Sequence, residues 1–169
     1  PLLTEKNTRW VEPQEPLVFL ESNPDQFIYF TDNRDGYKNY YLCSASGKFE
    51  PRRLTDVDAD CSFVAQRGRY LFFYSAEVSP VENHLIRIDL KTGKKVRLTR
   101  AEGWHSCQIS PDGKYFMDSW SSLDVPRVMG WGTTDGKKFT ELWKADAPSP
   151  LLTSCKIEMG MVKSADGKY

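Results

Sequence analysis

Histidine is the scarcest chemistry-bearing side chain in this sequence: 169 residues hold only two, His84 and His105. Neither stands beside a convincing nucleophile. Ser106 follows His105 directly, but successive side chains on a strand point to opposite faces, so adjacency does not make a catalytic dyad. No G-x-S-x-G elbow occurs, and Gly130-Trp131-Gly132-Thr133, which superficially resembles part of one, has no serine at its centre. The chain therefore carries no catalytic residues of its own for serine chemistry. An excess of charge of one sign is missing too, since Lys plus Arg and Asp plus Glu both number 23, which argues against nucleic acid as a partner. Long apolar runs are absent. The greasiest stretches, such as residues 70–74, fall far short of the roughly 20 residues that span a bilayer, so no membrane span is expected.

The four cysteines form no C-x-x-C pair and lie near no histidine at zinc-site spacing, which excludes a structural zinc centre. Asp56, Asp58 and Asp60 alternate in a D-x-D-x-D run. A calcium loop of the EF-hand type would need Gly and Glu where Cys61 and Arg67 stand, so an acidic patch toward a partner domain, or solvated loop charge, is the better account. No metal or cofactor is expected. The first residue is Pro1, no charged and apolar leader follows it, and residues 164–169 read as a tight turn whose second strand has barely begun. The sequence reads as a piece of a longer protein.

What is present is a period. Leu54-Thr55, Leu98-Thr99 and Leu142-Trp143 are spaced by 44 residues (98 − 54 and 142 − 98), and self-similarity at that interval marks a repeat fold. Cys61, Cys107 and Cys155 recur at similar phases and read as small buried residues entering equivalent strands, with a disulfide as the alternative in an oxidising compartment. Each repeat offers four short segments rich in β-branched and aromatic residues, at 17–20, 26–31, 39–44 and 50–54, then 62–66, 70–76, 84–90 and 95–98, then 108–110, 115–120, 127–131 and 138–143. The second segment of each is apolar on both faces, as in Leu71-Phe72-Phe73-Tyr74, which expects cover on both faces. Four strands per repeat of about 44 residues fit a β-propeller blade. The expected fold is thus all-β: a propeller fragment of about three four-stranded antiparallel blades over residues 17–60, 61–106 and 107–147, with a lead-in at 1–16 and a linker at 148–169.

Turn chemistry separates two ends of such blades. Tight glycine turns at residues 46–48, 66–69, 92–94, 111–114 and 135–137 lie at one end. Longer connections at 32–38, 55–60, 77–83, 99–106, 121–126 and 144–154 gather at the other, where function usually sits. Trp10, Glu12, Asp58, Asp60, Trp104, His105 and Asp124 are the candidate residues of that long-loop end, facing a substrate or a second domain. Three blades cannot close a ring, because propellers use roughly four to eight. The open blade edges and faces call for further blades or for association of copies of the chain.

Neither a Trp-Asp blade signature nor a kelch-type Gly-Gly pair is present. Residues 31–42, reading TDNRDGYKNYYL, instead resemble a blade segment of the dipeptidyl peptidase IV family. So do His105-Ser106 with Ile109-Ser110-Pro111-Asp112-Gly113-Lys114-Tyr115-Phe116, the stretch 119–126, Ser79-Pro80 with His84-Leu85, and Trp10-Val11-Glu12-Pro13. The resemblance implies the last blades of an eight-bladed propeller that caps an α/β-hydrolase domain, with residues 156–169 leading toward that domain. It implies a serine exopeptidase that removes N-terminal dipeptides with Pro or Ala second, periplasmic or secreted, with the triad and the paired glutamates that grip the substrate amine lying outside these residues. Its partners would be that hydrolase domain, the earlier blades and a peptide substrate. The segment 10–16 approaches the substrate pocket in the family, but the aromatic-basic pair known there in some members is replaced by Glu12-Pro13-Gln14-Glu15. The alternative is a non-catalytic binding propeller that docks a protein or glycan on its long-loop face. A relative of the acylaminoacyl peptidases or prolyl oligopeptidases is a third reading.

Overall fold

The computed structural model describes residues 2–12, 16–147 and 157–167, and within them twelve strands form three four-stranded antiparallel sheets with no helix. Each sheet is a meander of consecutive strands. The first holds β1 (Val18–Leu20), β2 (Asn23–Thr31), β3 (Asn39–Ser44) and β4 (Arg52–Arg53); the second β5 (Cys61–Arg67), β6 (Tyr70–Ser75), β7 (His84–Asp89) and β8 (Lys95–Arg97). The third holds β9 (Trp104–Ile109), β10 (Tyr115–Ser121), β11 (Val128–Thr133) and β12 (Phe139–Lys144). The blades expected from the 44-residue period are these sheets. One border moves: β9 begins at Trp104, so a blade boundary at 106/107 would cut a strand. The alternating exposure of Trp104, His105, Ser106 and Cys107 is that of a half-covered strand rather than a loop. Cys155 and most of the expected linker, at residues 148–156 and 168–169, lie outside the described residues.

The sheets stack because their second strands are apolar on both sides. On β6, Leu71 and Phe73 join Ile28, Tyr40 and Leu42 of the first blade in one core, while Phe72 turns the other way to meet Cys107 and Phe116 of the third. All three consecutive β6 side chains are fully buried. Each such side chain contributes about 1.5–3 kcal/mol relative to exposure. In β10 the rule is half met. Phe116 and Asp118 face the second blade, whereas Tyr115 and Met117 are exposed, together with Met129 and Trp143 of the same sheet face. The first blade differs again: the outer-facing Phe27, Tyr29, Tyr41 and Cys43 form a core against which Leu3 of the lead-in packs. Glu5 fastens that lead-in, accepting hydrogen bonds from Asn33 Nδ2 at 2.5 Å and Thr31 Oγ1 at 3.4 Å.

The Leu-Thr landmark proves to be a clasp between third and fourth strands. Leu54 N–H donates to Tyr40 O at 2.7 Å and Leu98 N–H to Leu85 O at 2.8 Å, in equivalent places of two blades. The following threonine turns its hydroxyl back to accept the next backbone donor, Thr55 Oγ1 from Tyr40 N–H at 2.8 Å and Thr99 Oγ1 from Leu85 N–H at 3.0 Å. Both threonines are buried. A hydroxyl thereby stands in for a strand carbonyl where the fourth strand leaves the sheet. In the third blade the counterpart, Leu142-Trp143, lies within β12 and is exposed, no further sheet covering it among the described residues.

At the short-turn end Asp89 locks two hairpins of the middle blade. Its Oδ1 accepts from the Lys91 N–H at 3.0 Å and the Thr92 N–H at 3.2 Å, and its other oxygen pairs with Arg69 from the β5–β6 turn. Chiefly the Arg69 hydrogen bond, helped by these amides, holds the Asp89 carboxyl down at about 2.

Two outcomes follow. Thr99→Val, which keeps the shape and orphans the buried Leu85 N–H, is expected to cost about 1–3 kcal/mol in denaturant unfolding, and Thr55→Val to behave alike and additively. For Asp89, the folded value lies below the ordinary value of about 3.9, so its contribution is complete above about pH 4 and is lost as pH falls toward 2. Arg69→Met is expected to flatten the stability–pH curve in that window while leaving its shape near neutral pH unchanged.

Candidate functional site

In a meander of this kind the β2–β3, β6–β7 and β10–β11 connections emerge at one end of the blades, with the passages between blades. Between the second and third blades Asn83 stitches this end together. Its N–H donates to Gly103 O at 3.1 Å, its carbonyl accepts from His105 N–H at 3.1 Å, and its side-chain Nδ2 donates to His105 O at 3.0 Å. That holds the start of β9 against the middle blade and leaves the Trp104 ring facing out, 57% exposed. Gly103, at φ 136°, permits the approach: a Cβ there would lie 2.3 Å from the Ser121 carbonyl oxygen. Above this floor lies a groove of about 400 Å³ with Val81, Trp104, Leu123 and Met159 on its walls and Glu82, Glu102 and Asp124 around it.

Of the residues singled out from the sequence, Trp104 and Asp124 meet in this groove. Trp10, 68% exposed, and Glu12 stand on the lead-in and do not line it. Asp58 and Asp60 are exposed in the β4–β5 passage, where Asp60 accepts from the Lys38 N–H at 2.9 Å and the neighbouring Asp56 pairs with Arg53 at 3.2 Å. The D-x-D-x-D run thus spends two carboxylates on the β2–β3 connection and on β4 of the first blade.

His105 does not face the long-loop surface, contrary to the expectation, because strand alternation sends it inward beneath Trp104, where it is 1% exposed. Its Nδ1 sits 2.8 Å from Asp118 Oδ2 and its Nε2 2.8 Å from Ala101 O. A carbonyl only accepts, so Nε2 carries hydrogen, and a single proton lies between Nδ1 and the carboxylate. The other Asp118 oxygen accepts from Cys107 Sγ–H at 3.3 Å. Tyr74 completes the set, bonding the Cys107 backbone through its hydroxyl. The His105 ring lies 5.3 Å from that of His84 across the blade interface and 5.6 Å from that of Trp120. His84 in turn is held between Thr99 Oγ1 at 3.2 Å and Glu82 Oε2 at 2.9 Å. Both imidazoles are 1% exposed, and each has both ring nitrogens at hydrogen-bond distance from a partner. They join blades.

Sequence reasoning missed Asp118, Glu82, Asn83 and Gly103. An aspartate within the greasy 115–120 segment was the one available signal, since a carboxylate on a covered strand needs a partner. Burial, with the Asp118 carboxylate beside it, pushes the Cys107 thiol far up, and burial raises Cys43 and Cys61 to about 11. All three described cysteines are free and buried. At about pH 8 they are therefore expected to resist alkylation in the native protein and to react promptly in denaturant, where thiols return to about 8.5; mass spectrometry after a short iodoacetamide pulse reads this. His105→Ala, which strands the Asp118 carboxylate, is expected to cost about 3–5 kcal/mol in unfolding.

Blades of this order and length define a propeller-type chain, and comparison with known proteins makes the class specific. The family described as the dipeptidyl peptidase IV (DPP IV) N-terminal region matches residues 1–127. The chain belongs to that family. It is 27% identical over 155 residues to a protein named "Probable dipeptidyl-aminopeptidase B" from Emericella nidulans, a match taking in 83% of this chain and 17% of that protein. Among solved structures it superposes with a TM-score of 0.80 and 28% identity on a dipeptidyl aminopeptidase IV candidate from Bacteroides ovatus, covering 96% of this chain and 26% of that one. Porphyromonas gingivalis dipeptidyl peptidase 4 gives 0.64 and 27%, over 81% and 19%. The chain spans about a sixth to a quarter of the length of these relatives.

Proposed function

We propose that these blades belong to a dipeptidyl peptidase IV-like serine peptidase, in which they gate and position peptides for release of N-terminal Xaa-Pro or Xaa-Ala dipeptides by an α/β-hydrolase domain elsewhere in the protein. The observation that carries this is the family match together with blades that superpose over nearly their whole length on a dipeptidyl aminopeptidase structure. The chain contributes structure rather than chemistry. Its two histidines are buried, hydrogen-bonded and in ring contact across a blade interface, while its long-loop end offers a groove with an exposed indole. A ring of blades over an active site admits narrow peptides, holds them near attack geometry and excludes folded proteins.

The uncovered face of the third blade, with Tyr115, Met117, Met129 and Trp143, suits the next blade of the ring, or association of copies where that blade is lacking. A periplasmic or secreted location accompanies this reading through the family resemblance. The full-length protein is expected to release p-nitroaniline from Ala-Pro-p-nitroanilide and to lose that activity to a serine-directed phosphonate, whereas the 169-residue chain alone releases none. Failure of the intact protein to turn over any Xaa-Pro or Xaa-Ala substrate would overturn the proposal.

A further inference from the structure

The groove beside Trp104 combines two properties that ordinary surface avoids. Its walls are apolar, with Val81, Trp104, Leu123 and Met159 each 45–60% exposed. Among the described residues, every charged side chain lining it is acidic: Glu82, Glu102 and Asp124. Glu82 is engaged by His84, but among the described residues Glu102 and Asp124 make no ion pair. Among the described residues no lysine or arginine lines the groove to neutralise them. Its floor is fixed, since Gly103 O is held by Asn83 N–H and the Ser122 N–H is bonded to Val125 O at 3.1 Å.

A ligand that matches both properties has an aliphatic stem ending in a delocalised or compact positive charge. An ammonium or guanidinium over an indole gains about 0.5–2 kcal/mol from the ring quadrupole, and carboxylates at the rim add Coulomb attraction that salt weakens. The stem meanwhile covers Val81 and Leu123. We infer that the groove binds a lysine or arginine side chain of an extended peptide lying across the long-loop end, and so supplies a charge preference at a substrate position away from the cleaved bond. This rests on the peptidase reading for the peptide's identity as substrate, though not for its binding.

The test uses the full-length protein and two fluorescein-labelled hexapeptides, acetylated at the N-terminus to block dipeptide release, that differ only in carrying Arg or Glu at their last three positions. Fluorescence anisotropy at low salt is expected to show the Arg peptide binding about tenfold tighter than the Glu peptide. The isosteric pair Glu102→Gln/Asp124→Asn should abolish most of that preference, and Trp104→Leu should weaken the Arg peptide selectively, with melting temperatures verifying that each variant is folded. Equal affinity for both peptides, or a preference that survives in the double variant, overturns the groove's role. Turnover of Ala-Pro-p-nitroanilide by the wild-type protein separates the two claims. Charge preference without turnover leaves the groove and removes the peptidase reading, and turnover without charge preference does the reverse.

Discussion

Burial of one strand on both of its faces is the constraint from which the rest of the arrangement follows. β6 offers Leu71 and Phe73 to one neighbour and Phe72 to the other, so the middle sheet cannot be satisfied by a single layer. A sheet that needs cover on both sides imposes a stack, and the twist of strands turns a stack of four-stranded meanders into a propeller-like array. Everything polar at the interfaces is arranged around that requirement. Tyr74, Asn83 and the His84–His105–Trp120 ring stack reach across from the middle blade to the third without interrupting the core beneath them.

The buried carboxylate of Asp118 shows how such an interface tolerates charge. It sits 3% exposed on the covered face of β10, and it is acceptable because His105 and the Cys107 thiol occupy both of its oxygens. An unpaired carboxylate there would favour unfolding. Both histidines are held in the same way, 1% exposed and with each ring nitrogen at hydrogen-bond distance from a partner. In this chain the histidine-serine neighbours that draw the eye in the sequence divide by strand parity: His105 goes to the core and Ser106 to the opposite face.

The period of 44 residues made the blades legible, and glycine turns made their short ends legible, because both are local consequences of chain geometry. The meaning of Leu54-Thr55 and Leu98-Thr99 was not. Their spacing marked a repeat, yet only the structure reveals the hydroxyl substituting for a strand carbonyl. The candidate site was read in part: Trp104 and Asp124 lie together, but Trp10, Glu12, Asp58 and Asp60 stand apart from it. Lying at the same end of a blade array does not bring residues into one groove, since neighbouring blades splay their loops. Asn83 and Gly103 escaped notice because backbone stitching and close backbone approach leave no compositional trace. The resemblance to residues 31–42 proved informative about family while its side chains turn out to be structural: Asn33 holds the lead-in, and Asp35 joins Tyr41 and Arg53.

The meander order within each sheet also bears on how the chain reaches this state. Among the described residues every strand pairs only with the strand before or after it in sequence. Hairpins therefore close over short loops, and the entropy of bringing distant segments together is not incurred within a blade. Such a chain can order itself in the direction of its synthesis, each finished sheet serving as a template surface for the next, as in other arrays with nearest-neighbour coupling. The vulnerable moment is the interval in which β6 has formed but β10 has not, when Phe72 has only one side of its environment in place.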